Sequence, residues 1–98
     1  MLTAAVLDAL NFDVATNYGL RDEAGVLVVF CDASGDGKIA GPTLAIESAA
    51  NIKAYVVAQG RAWLSECQGG SLLFAVRYIS DQSQREAFAQ MLRRLNQD

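Results

Sequence analysis

Histidine is absent from the 98 residues of this chain. That absence removes Ser-His-Asp and Cys-His catalysis, histidine-ligated zinc and the usual proton shuttle near neutral pH. Cysteine is scarce as well, since Cys31 and Cys67 stand in apolar segments and form no CxxC pair. We expect two reduced, buried thiols. A disulfide between them stays open, because separation in sequence does not fix separation in space.

Long apolar runs and an excess of basic charge are also missing. No apolar run approaches the roughly 20 residues that cross a bilayer. The first residues, MLTAAVLDALNFD, carry two aspartates and no basic n-region, so they do not resemble a signal peptide. The formal charge of −3 argues against binding nucleic acid, which requires lysine and arginine to neutralise phosphates. We therefore predict an acidic cytoplasmic protein with no membrane or nucleic-acid partner.

What is present is enough for one folded domain. About half of the residues are apolar, at 52%, and 19% are charged, which is typical of a globular chain. A chain of this length builds one core and is too short for two. We predict a single small domain over residues 1–98.

The first half of the chain predicts one helix and one strand. Apolar residues at helical spacing predict a helix over 3–18, with Thr3 as N-cap and Gly19 after its last turn. The run VLVVFC, residues 26–31, predicts a strand covered on both faces. A short second strand around Lys38–Ala40 is an additional prediction.

The second half predicts a helix, a strand and a helix. The alanine-rich segment 43–67 favours one long helix. The alternative is a hairpin of 53–59 and 61–67 that turns at Gly60.

Beyond it, SLLFAVRYI, residues 71–79, predicts a second central strand. Residues 80–97 predict the last helix, with Ser83 and Glu86 spaced as a capping box.

These elements predict an α/β (or α+β) fold in the order α-β-(β)-α-β-α. The sheet has two to three strands, contains a right-handed βαβ unit and is flanked by three helices. Three helices are few for strands that look buried on both faces. We therefore predict a homodimer, formed through a sheet edge or a helix face, or a protein partner. The candidate interface residues lie on the long helix and are Ile52, Val56 and Trp63.

A candidate carboxylate site follows from the parallel arrangement. Asp32 and Asp81 follow the two main strands, and parallel strands would bring them to one edge. Glu47, in the first turns of the predicted long helix, would begin near that edge. Such a cluster suits Mg²⁺ or Mn²⁺, and Asp32 with Asp36 suits Mg²⁺ or Ca²⁺. The alternative is that the Asp-Gly and Ser-Gly pairs of DASGDGKIAG form an ordinary turn, with no cofactor bound.

Two resemblances bear on these residues. VLVVFCDASG and RYISDQSQ resemble the strand-plus-aspartate segments of the ribonuclease H-like fold. In that family two such aspartates and a helix glutamate hold catalytic metals, which would carry over to Asp32, Asp81 and Glu47. Only 15 residues separate Asp32 from Glu47, whereas the family places further strands between them.

The second resemblance is to the calcium loop of EF-hand and dockerin proteins. DASGDGKIAGPT resembles this loop, with Asp32, Ser34 and Asp36 at positions 1, 3 and 5 and Gly37 at position 6. Position 12, a bidentate glutamate in the family, is Thr43. The resemblance implies a weak calcium site.

Two functions therefore stand as hypotheses. The first is a non-catalytic protein-interaction or dimerisation module, which needs exposed apolar surface. The second is a divalent-metal-dependent phosphoesterase or nuclease-like site built on Asp32, Glu47 and Asp81. The first is favoured because no complete catalytic set is present.

Overall fold

The computed structural model of the chain describes residues 2, 4–15, 19–32, 43–67 and 71–97. These residues form an α+β domain with four strands and three helices. The strand predicted at Lys38–Ala40 lies outside the described residues. None of the described helices has both the length and the apolar character needed to cross a membrane.

Two long strands, β2 (Gly25–Asp32) and β4 (Ser71–Tyr78), lie side by side at the centre of the sheet. Both are rich in β-branched and aromatic residues and agree with the predicted strands. Their pairing is antiparallel, so that Gly25 lies opposite Tyr78 and Asp32 opposite Ser71. The prediction that these two strands are parallel is wrong.

A third strand, β3 (Thr43–Ala49), pairs antiparallel with the other edge of β2. Because β3 and β4 both run opposite to β2, they are parallel to each other. The helix between them therefore completes a βαβ unit that is split by β2. The prediction of a helix from residue 43 is wrong for this stretch. Pairing with β2 and burial of Ile46 outweigh the helical propensity of its alanines and glutamate.

The helix α2 (Ile52–Glu66) follows its N-cap residue Asn51, where the backbone is extended. The Asn51 side-chain oxygen accepts a hydrogen bond from the Ala54 N–H at 3.0 Å, which is the usual geometry of an N-cap. The helix continues through Gly60, so the hairpin alternative for residues 53–67 is excluded. At Gly60 a Cβ atom would meet no heavy atom within 4 Å.

The first helix is shorter than predicted. Helix α1 (Ala4–Ala9) ends at Asn11, whose φ of 61° lies in the left-handed region. The Phe12 N–H donates to the Leu7 carbonyl and the Asn11 N–H to the Asp8 carbonyl, which is a Schellman motif. The chain then enters β1 (Asp13–Ala15), which pairs with the free edge of β4. The predicted helix over 3–18 is therefore wrong for residues 10–15, because Asn11 takes the terminating role assigned to Gly19, while residues 16–18 lie outside the described part of the chain.

The last helix, α3 (Gln82–Gln97), has its N-cap two residues before the predicted one at Ser83. Asp81 is the N-cap, since its carboxylate accepts a hydrogen bond from the Gln84 N–H at 2.9 Å. The pairing of Ser83 with Glu86 as a capping box is therefore wrong. The helix buries one stripe of side chains against the sheet, made of Arg85, Ala89 and Leu92.

The sheet, ordered β1-β4-β2-β3, is covered on both faces by the chain's own helices. Alternate residues of β2 divide between two core clusters. Val26 and Val28 pack with Leu7 of α1 and Leu92 of α3. Their neighbours pack on the opposite face with α2, a cluster that includes Leu27, Val29, Ile52, Val56 and Trp63. A dimer was predicted because three helices seemed too few to cover the sheet. The helices of one chain nevertheless cover both faces.

Cys31, near the end of β2, and Cys67, at the C-cap of α2, form a disulfide. Their Cα atoms are 5.4 Å apart, within the ordinary range for a bridged pair. The prediction of two reduced thiols is replaced by a covalent link. It fastens the end of α2 to the central strand.

Candidate functional site at the edge strand

The three carboxylates predicted to share a metal site are dispersed. Asp32 ends β2 opposite the first residue of β4, whereas Asp81 follows the last residue of β4. Seven residue steps along β4 separate those two ends of the sheet by about 24 Å. This dispersal follows directly from the antiparallel pairing of β2 and β4.

Glu47 lies in the middle of β3, opposite Leu27, and not in a helix. Its carboxylate is 3.4 Å from the Arg93 guanidinium. The Asp81 carboxylate caps the N-terminus of α3. In the described part of the chain no three acidic or cysteine side chains gather closely enough to hold an ion. Asp36 and most of the calcium-like loop lie outside the described residues, so weak calcium binding there stays a prediction.

The residues predicted as an interface are covered by the chain's own sheet. Ile52, Val56 and Trp63 all lie on the side of α2 that is buried against the sheet. Trp63 packs on the rings of Tyr55 and Phe74. An interface on this helix would have to use its other side. There Val57 is 78% exposed and Leu64 is 49% exposed, seven residues apart on one flank.

The outer edge of β3 carries backbone groups that point away from the sheet. The Ile79 N–H donates to the Ala24 carbonyl, which continues the ladder between β4 and β2. By alternation along β2, the backbone groups of Val26 and Val28 are directed at β4. Their partners on β3, Ser48 and Ile46, therefore direct their N–H and C=O groups outward. No described strand pairs with this edge.

Arg93 of α3 reaches over this edge. Its Nε and Nη2 both donate to the Ile46 carbonyl oxygen, at 3.1 and 2.8 Å. The same Nη2 donates to Glu47 Oε2 at 3.4 Å, a longer and weaker contact. A side chain that satisfies an edge carbonyl in this way is one of the devices that keep edge strands from pairing with other chains.

A groove of about 340 Å³ runs between β3 and the end of α3. Glu47 and Arg93 are the charged members of its lining, which is completed by Thr43, Leu44, Ala45, Ile46, Asn96 and Gln97. The charges also act on Tyr55 of α2. Burial, and then the negative charge of Glu47, raise the pKa of Tyr55, while Arg93 opposes them.

The residues of β3 are compatible with a strand, although their sequence pattern predicted a helix. The stretch TLAIESA contains Thr43 and Ile46, which suit a strand, but its alanines and Glu47 suit a helix equally well. Arg93 gave no local sign of its role, because its acceptor lies 47 residues earlier in the chain.

Comparisons of the chain with family models, with curated proteins and with solved structures give no significant match.

Proposed function

We propose that this domain is a non-catalytic protein-interaction module that takes up an extended segment of a partner chain along the outer edge of β3. The observation that carries the proposal is the outward direction of the backbone groups of Ile46 and Ser48 beside an open groove. Strand addition to a sheet edge uses such groups for affinity and the neighbouring side chains for specificity.

The groove has features that suit a peptide more than a small reacting molecule. It is open to solvent and lies along a strand edge. Its described lining brings together one carboxylate, one guanidinium, two amides, the Thr43 hydroxyl and aliphatic side chains, and no cysteine, lysine or tyrosine is among these residues. The alternative of a metal-dependent phosphoesterase at Asp32, Glu47 and Asp81 has lost the parallel strands on which it was founded.

Self-association is the second candidate, and the exposed flank of α2 favours it. Val57 and Leu64 are large apolar side chains in contact with solvent. Gly60 lies between them with open space around it, so another helix could approach closely there. In this second candidate the homodimer predicted from sequence would form through the outer flank of α2.

The cytoplasmic location predicted from sequence stays a proposal. The disulfide favours an oxidising compartment instead, because disulfides persist chiefly there.

The test of strand addition uses a displayed library of random linear dodecapeptides, selected on the wild-type domain. Ser48→Pro removes one outward N–H at a position where an edge strand tolerates proline. Ser48→Ala is the matched control because it keeps that N–H. We expect recovered peptides to bind the wild type and Ser48→Ala equally, and Ser48→Pro about tenfold more weakly.

Amide chemical-shift changes in the wild type provide a second measurement that does not depend on a variant. Peptide addition should shift the amides of residues 43–49 most strongly. Failure to recover binding peptides, or shifts centred on α2 with full binding to Ser48→Pro, would overturn strand addition at β3. Shifts on α2 that grow with protein concentration alone would favour the dimer.

A further inference from the structure

We propose that the segment docking on β3 carries a lysine or arginine that replaces Arg93 at Glu47, so that Arg93 acts as an internal competitor for the docking edge. This inference rests on the proposed function and names the chemical class of the partner. A basic extended segment is the occupant to which the geometry points.

The first step is that Arg93 must leave. Its Nε and Nη2 both donate to the Ile46 carbonyl, which uses the lone pairs that an incoming strand would need. The guanidinium also occupies the space beside the strand edge where a partner backbone would lie. The two ligands of this edge, Arg93 and a docking strand, are therefore mutually exclusive.

The second step is the charge left behind. When Arg93 swings away, Glu47 is the charged side chain that remains on β3 and in the groove lining. The Glu47 carboxylate is partly exposed, with 40% of its side-chain surface accessible, so it can meet a partner without deep burial. A cation on the docking segment restores the pairing that Arg93 gave up, and a carboxylate there is repelled.

The third step is long-range charge. The chain has a formal charge of −3, which attracts a basic segment and speeds its encounter. An acidic segment would have to overcome both this net charge and Glu47. A neutral segment would gain the backbone hydrogen bonds alone.

The test uses the peptides recovered from the dodecapeptide library. Each basic residue is replaced by glutamine in turn, and affinity is measured by fluorescence anisotropy on four forms of the domain. These are the wild type, Glu47→Gln, Arg93→Ala and Arg94→Ala. Arg94 is the matched control because it is the exposed neighbour of Arg93 on α3 and carries the same charge.

We expect one basic position whose replacement weakens binding to the wild type about threefold, as for a partly exposed ion pair. On Glu47→Gln that difference should disappear. Arg93→Ala should bind the basic peptides about fivefold more tightly than Arg94→Ala, because the competitor is gone.

The outcomes separate the two proposals. If Ser48→Pro weakens binding as expected while the peptides show no preference for basic residues, docking at β3 stands and the basic partner is overturned. If Arg93→Ala binds no more tightly than Arg94→Ala, the competitor role is overturned. If Ser48→Pro has no effect on binding, strand addition itself fails.

Discussion

At the scale of single residues, Asn11 shows how one backbone angle ends a helix. Its φ of 61° is costly for most side chains and tolerated by asparagine and glycine. We expect Asn11→Ala to lower the free energy of unfolding by about 1 kcal/mol and Asn11→Gly to leave it nearly unchanged. Urea denaturation of the three proteins measures this. Equal stability of Asn11→Ala and the wild type would mean that the Schellman motif does not terminate α1.

Two glycines should respond in opposite ways to the same substitution. A Cβ at Gly25 would lie 2.6 Å from the Arg77 carbonyl oxygen, because β2 and β4 approach closely there. A Cβ at Gly60 would meet nothing within 4 Å and would remove a flexible residue from the middle of α2. We expect Gly25→Ala to lower the free energy of unfolding by about 2 kcal/mol and Gly60→Ala to raise it by about 1 kcal/mol. Denaturation midpoints that move in the same direction would contradict this reasoning.

Arg85 is a buried arginine whose hydrogen bonds are only partly satisfied. Its side chain is buried, and one Nη donates to the Ser80 carbonyl at 2.8 Å, while the buried Nε has no hydrogen-bond partner. A buried donor without a partner costs about 1 to 3 kcal/mol. We therefore expect Arg85→Met to match or exceed the wild type in thermal stability, with Arg94→Met as the exposed control. A fall of several degrees in the melting temperature of Arg85→Met alone would show that the guanidinium is net stabilising.

At the scale of elements, the strands with uniform apolar character were predictable and the edge elements were not. VLVVFC and SLLFAVRYI could be recognised because burial on both faces leaves continuous apolar runs. The same feature misled the choice of direction, since such runs usually mark parallel strands, whereas here α2 and α3 cover an antiparallel sheet. Thr43–Ala49 could not be assigned from its residues, because its conformation depends on pairing with β2.

The candidate site depended on the least predictable element. Glu47 was identified as a functional candidate, but in a helix and for metal binding. Its actual neighbour, Arg93, is brought to it by the packing of α3 beside β3. Contacts between residues this distant in sequence are set by the topology of the sheet and leave no local pattern.

The pKa of Tyr55, a residue of α2, should report the charges of Glu47 and Arg93 in the groove. Burial and the Glu47 carboxylate raise its pKa above the ordinary value of 10.0, and Arg93 lowers it. We expect Glu47→Gln to lower the pKa of Tyr55 and Arg93→Ala to raise it, as followed by NMR of the tyrosine ring during an alkaline titration. The raised pKa also means that stability falls as the pH rises above about 10, where the unfolded chain loses this proton first. Tyr55→Phe should remove that part of the alkaline loss.

At the scale of the whole molecule, the disulfide joins two layers of the fold, because Cys31 lies in the central strand β2 and Cys67 lies at the end of the covering helix α2. Cys31 and Cys67 are 36 residues apart, and their link closes a loop that contains β3 and α2. Closing a loop of this length stabilises the folded state by about 4 kcal/mol in the chain-entropy account. This is a large share of the about 5 to 15 kcal/mol that holds a domain together.

The double variant Cys31→Ser with Cys67→Ser should therefore lose about 4 kcal/mol of unfolding free energy relative to the oxidised wild type. The wild type measured in a thiol reductant should lose a similar amount, while the reductant leaves the double variant unchanged. Since α2 and β3 lie inside the closed loop, hydrogen exchange should accelerate there more than in α3. Equal stability of the oxidised and reduced wild type would contradict the chain-entropy account of this bond.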